Sequence, residues 1–246
     1  FKMGFYYDLY MMGLGASNHT ITTLDWVRDY NVPIHPEVEA KRTLMPARKW
    51  KSEYLGLFLE AEGSVFGNFG EVLTSSGNEK PNAVFLGLDF GTGSGKDYTV
   101  LTGFDELGNQ LFIWAVNDMS PTQQVAEIAE ICKQFTREAE DPYGRMTAES
   151  SIELFLAEKN SIGAIYIDQL IALGVPVTPF ITTNDSKREL VEDLQVAIQC
   201  KSVGLLSDPT QNQELSFYES KVTPGTNKVT YNAPAGQHDD HVMACM

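Results

Sequence analysis

With 246 residues, 43% of them hydrophobic and 21% charged, the chain has the composition of an ordinary globular protein, which excludes a fibrous or wholly disordered architecture. Its 18 Lys and Arg against 33 Asp and Glu give a formal net charge of −15, an acidity that argues against a nucleic-acid binder, since such proteins ordinarily carry a basic footprint. No run approaches the roughly 18 apolar residues of a membrane span, so a soluble chain of one large or two small domains is expected.

The chain opens on Phe1 rather than Met and closes inside the apolar run His241–Met246, and so reads as a piece of a longer protein. Its aromatic, Met-rich start (Phe1–Met12) leads into a loop bounded by Pro33 and Pro36, where each residue before proline is pushed away from helix. Helices are predicted from about Pro36 to Leu44 and from about Ala47 to Phe58. The first 73 residues show no core of their own and read as an arm or the tail of a preceding domain. The polar, turn-rich stretch Thr74–Asn82 is the predicted boundary. Charge divides there too: residues 1–80 hold 8 basic and 10 acidic side chains, and residues 81–246 hold 10 and 23, a net of −13.

Beyond the boundary, Ala83–Asp89, Tyr98–Phe104 and Gln110–Val116 read as three strands of a meander, with Gly108-Asn109 turning between the last two. A helix follows from Ser120-Pro121 to about Arg137, then a strand Ile152–Ala157, a helix from about Ile162 to Leu173, a strand Val175–Phe180 and a helix from about Ser186 to Cys200. Val222–Tyr231 reads as a hairpin around Pro224-Gly225-Thr226-Asn227. A meander passing into helix–strand alternation predicts an α/β fold: a mixed central sheet flanked by helices, preceded by an N-terminal helical arm. Cys132, Cys200 and Cys245 show no CxxC spacing, which argues against a disulfide scaffold or zinc knuckle and fits a reducing compartment.

Several carboxylates fall at the edges of these elements. Asp89 closes an apolar strand ahead of the flexible loop Gly91–Gly95, Glu158 closes the strand Ile152–Ala157, and Asp239 and Asp240, after His238, open the final apolar segment. Separated acids on stiff elements are what a divalent-metal site needs, because Mg²⁺ prefers hard oxygen ligands. Two such ions about 4 Å apart can activate a water and stabilise the leaving oxygen of a phosphodiester displacement. The competing reading is that acids fall at strand ends by chance and that Asp239 and Asp240 merely cap a helix. Glu149 competes with Glu158 if the strand is misplaced, whereas Asp168 and Asp193 read as surface charges on helices.

The loop Gly91–Lys96 is not a phosphate-binding loop, since Phe90 stands where a glycine is required and Asp97 where a Ser or Thr would hold Mg²⁺. It reads as a turn beside the acids, with Lys96 either touching a scissile phosphate or solvated.

In order, Val84-Phe85-Leu86-Gly87-Leu88-Asp89-Phe90-Gly91, Glu158-Lys159-Asn160-Ser161-Ile162-Gly163 and His238-Asp239-Asp240-His241-Val242-Met243-Ala244 resemble the three acidic motifs of the nuclease domain of tailed-phage large terminase subunits. Trp50–Gly56 and Phe58–Phe66 resemble the connector of that family, and Phe5–Tyr10 the last portion of its packaging ATPase. The resemblance implies three segments: ATPase tail and connector (1–73), linker (74–82) and a ribonuclease H-like nuclease (83–246), with no ATPase motif in the chain.

It also implies a metal-dependent endonuclease that cuts concatemeric viral DNA during genome packaging, using two Mg²⁺ or Mn²⁺ ions. Asp89, Glu158 and Asp240 are then the catalytic metal ligands, with Asp239 an alternative to Asp240. Lys96, His238 and His241 are candidates for DNA contact or for supporting positions behind the ligands. The implied partners are double-stranded DNA, the ATPase domain, the portal and the small terminase subunit, in the host cytoplasm and away from membranes. The hairpin, with Lys221 and Lys228 at its base, would gate access of DNA. Other readings are a Holliday-junction resolvase or related nuclease of the same fold, and a non-catalytic docking module of a packaging motor. The acidity ceases to exclude DNA if bound cations invert the field at the site; it predicts weak, salt-sensitive binding instead.

Overall fold

The computed structural model describes residues 40, 42–53, 65–75, 81–91, 97–140, 142–143, 145–159, 163–223 and 228–246. The expected elements before residue 40, most of the linker, the loop carrying Lys96 and the hairpin tip at 224–227 lie outside the described residues.

Five strands form the central sheet, in the spatial order Gln110–Val116, Thr99–Asp105, Val84–Asp89, Ile152–Glu158 and Thr178–Phe180. At its centre β2 (Val84–Asp89) buries Val84, Leu86 and Leu88, alternate residues that a strand turns to one face. Antiparallel β3 (Thr99–Asp105) and β4 (Gln110–Val116) complete the expected meander. The turn between them needs a positive φ of 81° at Gly108 and is braced by the Asp105 carboxylate, which accepts from the backbone N–H groups of Leu107 and Asn109. On the other side of β2, β7 (Ile152–Glu158) and then β8 (Thr178–Phe180) run parallel to it.

Such parallel pairs require crossovers. Helix α2 (Pro121–Cys132) and helix α3 (Gly163–Ala172) supply them and cover one face of the sheet. There Val125, Ile128, Tyr166, Ile167 and Leu170 pack against the buried side of β2, β3 and β7.

A second core lies on the opposite face. Val191, Leu194 and Ile198 of α4 (Asn184–Cys200) meet Leu215 of α5 (Pro209–Phe217) and Val242 of α6 (Asp240–Cys245). Helix α6 lies directly on β2 and β3. The approach is so close that a Cβ on Gly87 would stand 2.0 Å from the Ala244 carbonyl oxygen.

The structure revises several boundaries. The helix expected to reach Arg137 stops at Cys132, and the chain instead enters an exposed two-stranded ribbon, β5 (Thr136–Glu140) with β6 (Met146–Ser150). The ribbon buries almost nothing, so it leaves no apolar alternation to detect. The strand expected over Val175–Phe180 shortens to Thr178–Phe180, an edge strand that accommodates Pro179 at its middle. Helix α5 was not anticipated, although Asp208, whose side chain accepts from the Gln211 N–H, and Pro209 form an ordinary helix start.

Packing also does not divide the chain at 74–82. Phe66 and Val72 are buried in the second core, and β1 (Leu73–Thr74) pairs in parallel with β9 (Leu205–Leu206). Farther upstream, helix α1 (Ala47–Glu53) buries Trp50 and ties to α4 through Ala47 N–H to Gln199 Oε1 at 2.7 Å and the Lys49–Glu192 ion pair. The described parts of the arm are built onto the unit they precede.

The tight seat of α6 makes Gly87→Ala a test of the fold. The methyl group must displace backbone rather than a flexible side chain, so a loss of about 1–3 kcal/mol, typical of overpacking, is expected as a lower urea midpoint.

Candidate active site

The pairing of β2 with β7 sets the site. Leu88 lies beside Ala157 in the parallel register, so Asp89 and Glu158, one residue further on, emerge side by side where both strands end. The carboxyl ends of parallel strands are where ligand sites of open α/β sheets form. Each acid is held by its successor segment. Phe90 packs on Tyr166 of α3 with ring centroids 4.7 Å apart, and the Lys159 N–H donates to the Phe180 carbonyl at 2.7 Å. Gly163 opens α3 against the Glu158 backbone, where a Cβ would come within 2.1 Å of the Glu158 carbonyl oxygen. That contact explains the glycine at the end of the second motif.

The third component comes from the N-terminus of α6, on the same face. Asp240 Oδ2 accepts from the Tyr98 backbone N–H at 2.7 Å, and Asp239 Oδ2 pairs with Lys187 Nζ at 3.0 Å. Asp239 occupies the helix-cap position but makes no capping bond with its side chain, so the capping explanation of this acidic pair fails.

These carboxylates act on one another. Burial, the charge of Glu158 and a hydrogen bond to it, and the charges of Asp240 and Asp239 together hold the Asp89 carboxyl well above its ordinary range. Burial lifts Asp240 to about 6, against the Tyr98 N–H bond; Glu214 and Asp97 push it further up and His238 pulls it down. Among the described residues no three His, Cys, Asp or Glu side chains are drawn together as a finished ion cluster. What stands there is a set of carboxyl oxygen donors on stiff elements, two of them, Asp89 and Glu158, sharing a proton in a hydrogen bond. That donor set suits a hard divalent cation, and neutralising it relieves the repulsion. A groove of about 400 Å³, walled by Leu154, Phe180, Leu190 and Met243, opens beside Asp89 and Glu158, which both line it.

The structure thus brings Asp89, Glu158, Asp239 and Asp240 to one place. His238 is nearby and half-exposed, with Nδ1 3.4 Å from Asp97 Oδ1 and 4.0 Å from Asp240 Oδ2. His241 is not available to DNA, contrary to one of the two expectations for it. It is 2% exposed, because the first turn of α6 aims its ring inward to Glu214, with Nδ1 2.8 Å from Oε1. Glu149 lies opposite Arg137 on the exposed ribbon, while Glu158 is the acid beside Asp89. Asp168 and Asp193 are exposed on α3 and α4, and Lys96 lies outside the described residues.

Two site residues have no counterpart in the sequence reading. Lys187 of α4 joins Asp239 to Asn232 Oδ1, at 3.2 Å, on the hairpin of β10 (Glu219–Thr223) and β11 (Lys228–Asn232). Glu214 is a buried acid of α5. Neither belongs to a local motif; only tertiary packing reveals them.

No family model and no curated protein matches the chain. Solved structures do. The large terminase nuclease of thermophilic phage G20c superposes with a TM-score of 0.59 at 20% identity, covering 75% of this chain and 96% of that one. The same nuclease with bound magnesium gives 0.59 at 19%, covering 76% and 96%, and it has also been seen with cobalt and with zinc. A large terminase from another thermophilic bacteriophage gives 0.64 at 13% identity, covering 97% of this chain, which spans 57% of that protein. At these identities the likeness establishes the fold: the mixed sheet flanked by helices is the ribonuclease H-like arrangement of large terminase nuclease domains.

The raised carboxyls make a stability prediction. An acid whose folded pKa lies above its unfolded value stabilises the fold below the unfolded value and loses that contribution as pH rises through the folded one. For Asp240 the window runs from 3.8 to about 6. In EDTA, Asp240→Asn, which keeps an acceptor for the Tyr98 N–H, is therefore expected to match the parent near pH 4 and to exceed it above pH 6. The gain, on the order of 2–3 kcal/mol, is read from denaturant midpoints across the pH range.

Proposed function

We propose that the chain is a divalent-metal-dependent endonuclease that hydrolyses phosphodiester bonds in double-stranded DNA, cutting concatemeric viral genomes during packaging. The observation that carries this reading is the meeting of Asp89, Glu158 and Asp240 from two parallel strand ends and a helix start, with Asp89 under the negative charge of the others. The fold shared with large terminase nucleases supports it, as do the metal-bound forms of one of them.

Asp89, Glu158 and Asp240 would hold two Mg²⁺ or Mn²⁺ ions, with Asp89 shared and Asp239 a further donor. Bound there, the ions supply the Lewis acidity that ionises a water and offsets charge on the leaving oxygen. The chain's own work is to hold the donors still. The β2–β7 ladder fixes two carboxylates in register, the Tyr98 N–H orients the third, and Lys187 restrains Asp239 from the far side. That restraint favours Asp240 over Asp239 as the principal ligand.

The net of −13 beyond residue 80 leaves few cations to neutralise phosphates. Binding of DNA by this chain alone is therefore weak and salt-sensitive, with grip supplied by a packaging ATPase domain. The portal and the small terminase subunit complete the set of partners. No helix among the described residues is long and apolar enough to cross a membrane.

Plasmid nicking in Mg²⁺ or Mn²⁺ tests the reading. Asp89→Asn and Glu158→Gln are expected to lower the rate by roughly 10²-fold or more, the scale on which loss of one electrostatic stabiliser acts, with an unchanged circular-dichroism spectrum. Full activity in either variant overturns the assignment. Mg²⁺ is likewise expected to raise the thermal midpoint of the parent protein and to leave that of Asp89→Asn unmoved.

A further inference from the structure

We propose that Glu214 is a positioning residue that sets the aim of Asp239 and Asp240 from beneath, an inference that rests on the reading of Asp240 as a metal ligand. A helix begins with N–H groups that have no partner of their own, and a side chain at its first residues ordinarily satisfies them. In α6 the residue in that place is Asp239, and its carboxylate makes no capping bond. The function has passed to another helix. Glu214 Oε2 accepts from the backbone N–H groups of His241, at 2.7 Å, and Val242, at 3.2 Å, while Oε1 lies 2.8 Å from His241 Nδ1. One carboxylate thus makes three bonds to the two residues that follow Asp240, and the Asp239 side chain is not spent on capping the helix.

The clamp also reaches Asp240 by a second route. The His241 ring held by Glu214 packs against the Tyr98 ring with centroids 5.6 Å apart, and the Tyr98 N–H is the donor to Asp240 Oδ2. Glu214, His241, Tyr98 and Asp240 form a closed circuit in which the last member is the proposed ligand.

Its floor is rigid. One turn before Glu214, buried Gln211 exchanges two side-chain hydrogen bonds with Gln110 of β4, at 2.9 and 3.0 Å, and donates to the Leu206 carbonyl at 3.0 Å. Helix α5 is therefore tied to the same sheet that carries Asp89. An apolar residue at this point would leave two N–H groups and an imidazole nitrogen unsatisfied.

Mn²⁺ binding, followed by loss of the free-ion electron paramagnetic resonance signal, tests the proposal alongside plasmid nicking, with melting curves confirming that each variant is folded. Groups that orient metal ligands typically contribute about 10–100-fold to affinity. Glu214→Ala is expected to weaken Mn²⁺ binding on that scale, with nicking recovered at raised Mn²⁺. Glu214→Gln, whose amide oxygen can accept from both backbone N–H groups and whose amide nitrogen can donate to Nδ1, is expected to restore binding to within a few-fold. Should Glu214→Ala not fold, Glu214→Asp, which keeps the charge and shortens the reach, is expected to show the same weakened binding.

A folded Glu214→Ala or Glu214→Asp variant with parental Mn²⁺ affinity overturns the proposal, as does a Glu214→Gln variant as defective as Ala. Asp89→Asn separates the two levels. If it abolishes binding while the Glu214 variants bind normally, only the positioning role falls; if it binds and nicks like the parent, the metal-site reading falls with it.

Discussion

Everything at the candidate site follows from one arrangement the protein would avoid if stability alone decided: the parallel pairing of β2 with β7 ends in two adjacent carboxylates, Asp89 and Glu158. Like charges this close, partly withdrawn from water, raise each other's energy, and Asp239 and Asp240 add to the load. Much of the surrounding structure serves to keep them there. Phe90 on Tyr166 and the contact of Gly163 with the Glu158 backbone hold the strand ends, and Lys187 and the Tyr98 N–H divide the acids of α6 between them. Residues held against their own repulsion mark functional sites more often than structural ones.

The two faces of the sheet divide the labour. The face covered by α2 and α3 is a continuous apolar core that fixes strand order and register. The other face carries the acids, and its core is assembled from α4, α5, α6 and the arm segment around Phe66 and Val72. The site therefore sits at the margin between a rigid scaffold and elements that converge from distant parts of the sequence.

That division also explains what was legible beforehand. The central strands announce themselves as short apolar runs, with Asp89 and Glu158 at the ends of two of them and Asp239 and Asp240 at a helix start, so the sheet could be read locally and the four acids through the resemblance of their motifs. The β5–β6 ribbon could not, because strands that bury nothing leave no period. Helix α5 was missed despite its Asp208-Pro209 start, and with it Glu214. The inward turn of His241 and the pairing of Lys187 with Asp239 arise from packing between elements far apart in sequence, which spacing along one segment cannot encode. The arm was recognised as lacking a core of its own, but its attachment to α4 and β9 shows only in three dimensions.

The seat of α6 on Gly87 bears on how the protein is made. Strand β2 at the centre of the sheet and the helix that lies on it are separated by roughly 150 residues. During synthesis, β2 emerges long before its covering helix exists, and contacts of such long range close late. Asp89 and Glu158 can be in register while Asp239 and Asp240 are still inside the ribosome. A nascent chain thus holds only part of its carboxylate set, and the complete one appears when α6 docks. Any chemistry the site performs is withheld until translation has passed residue 240.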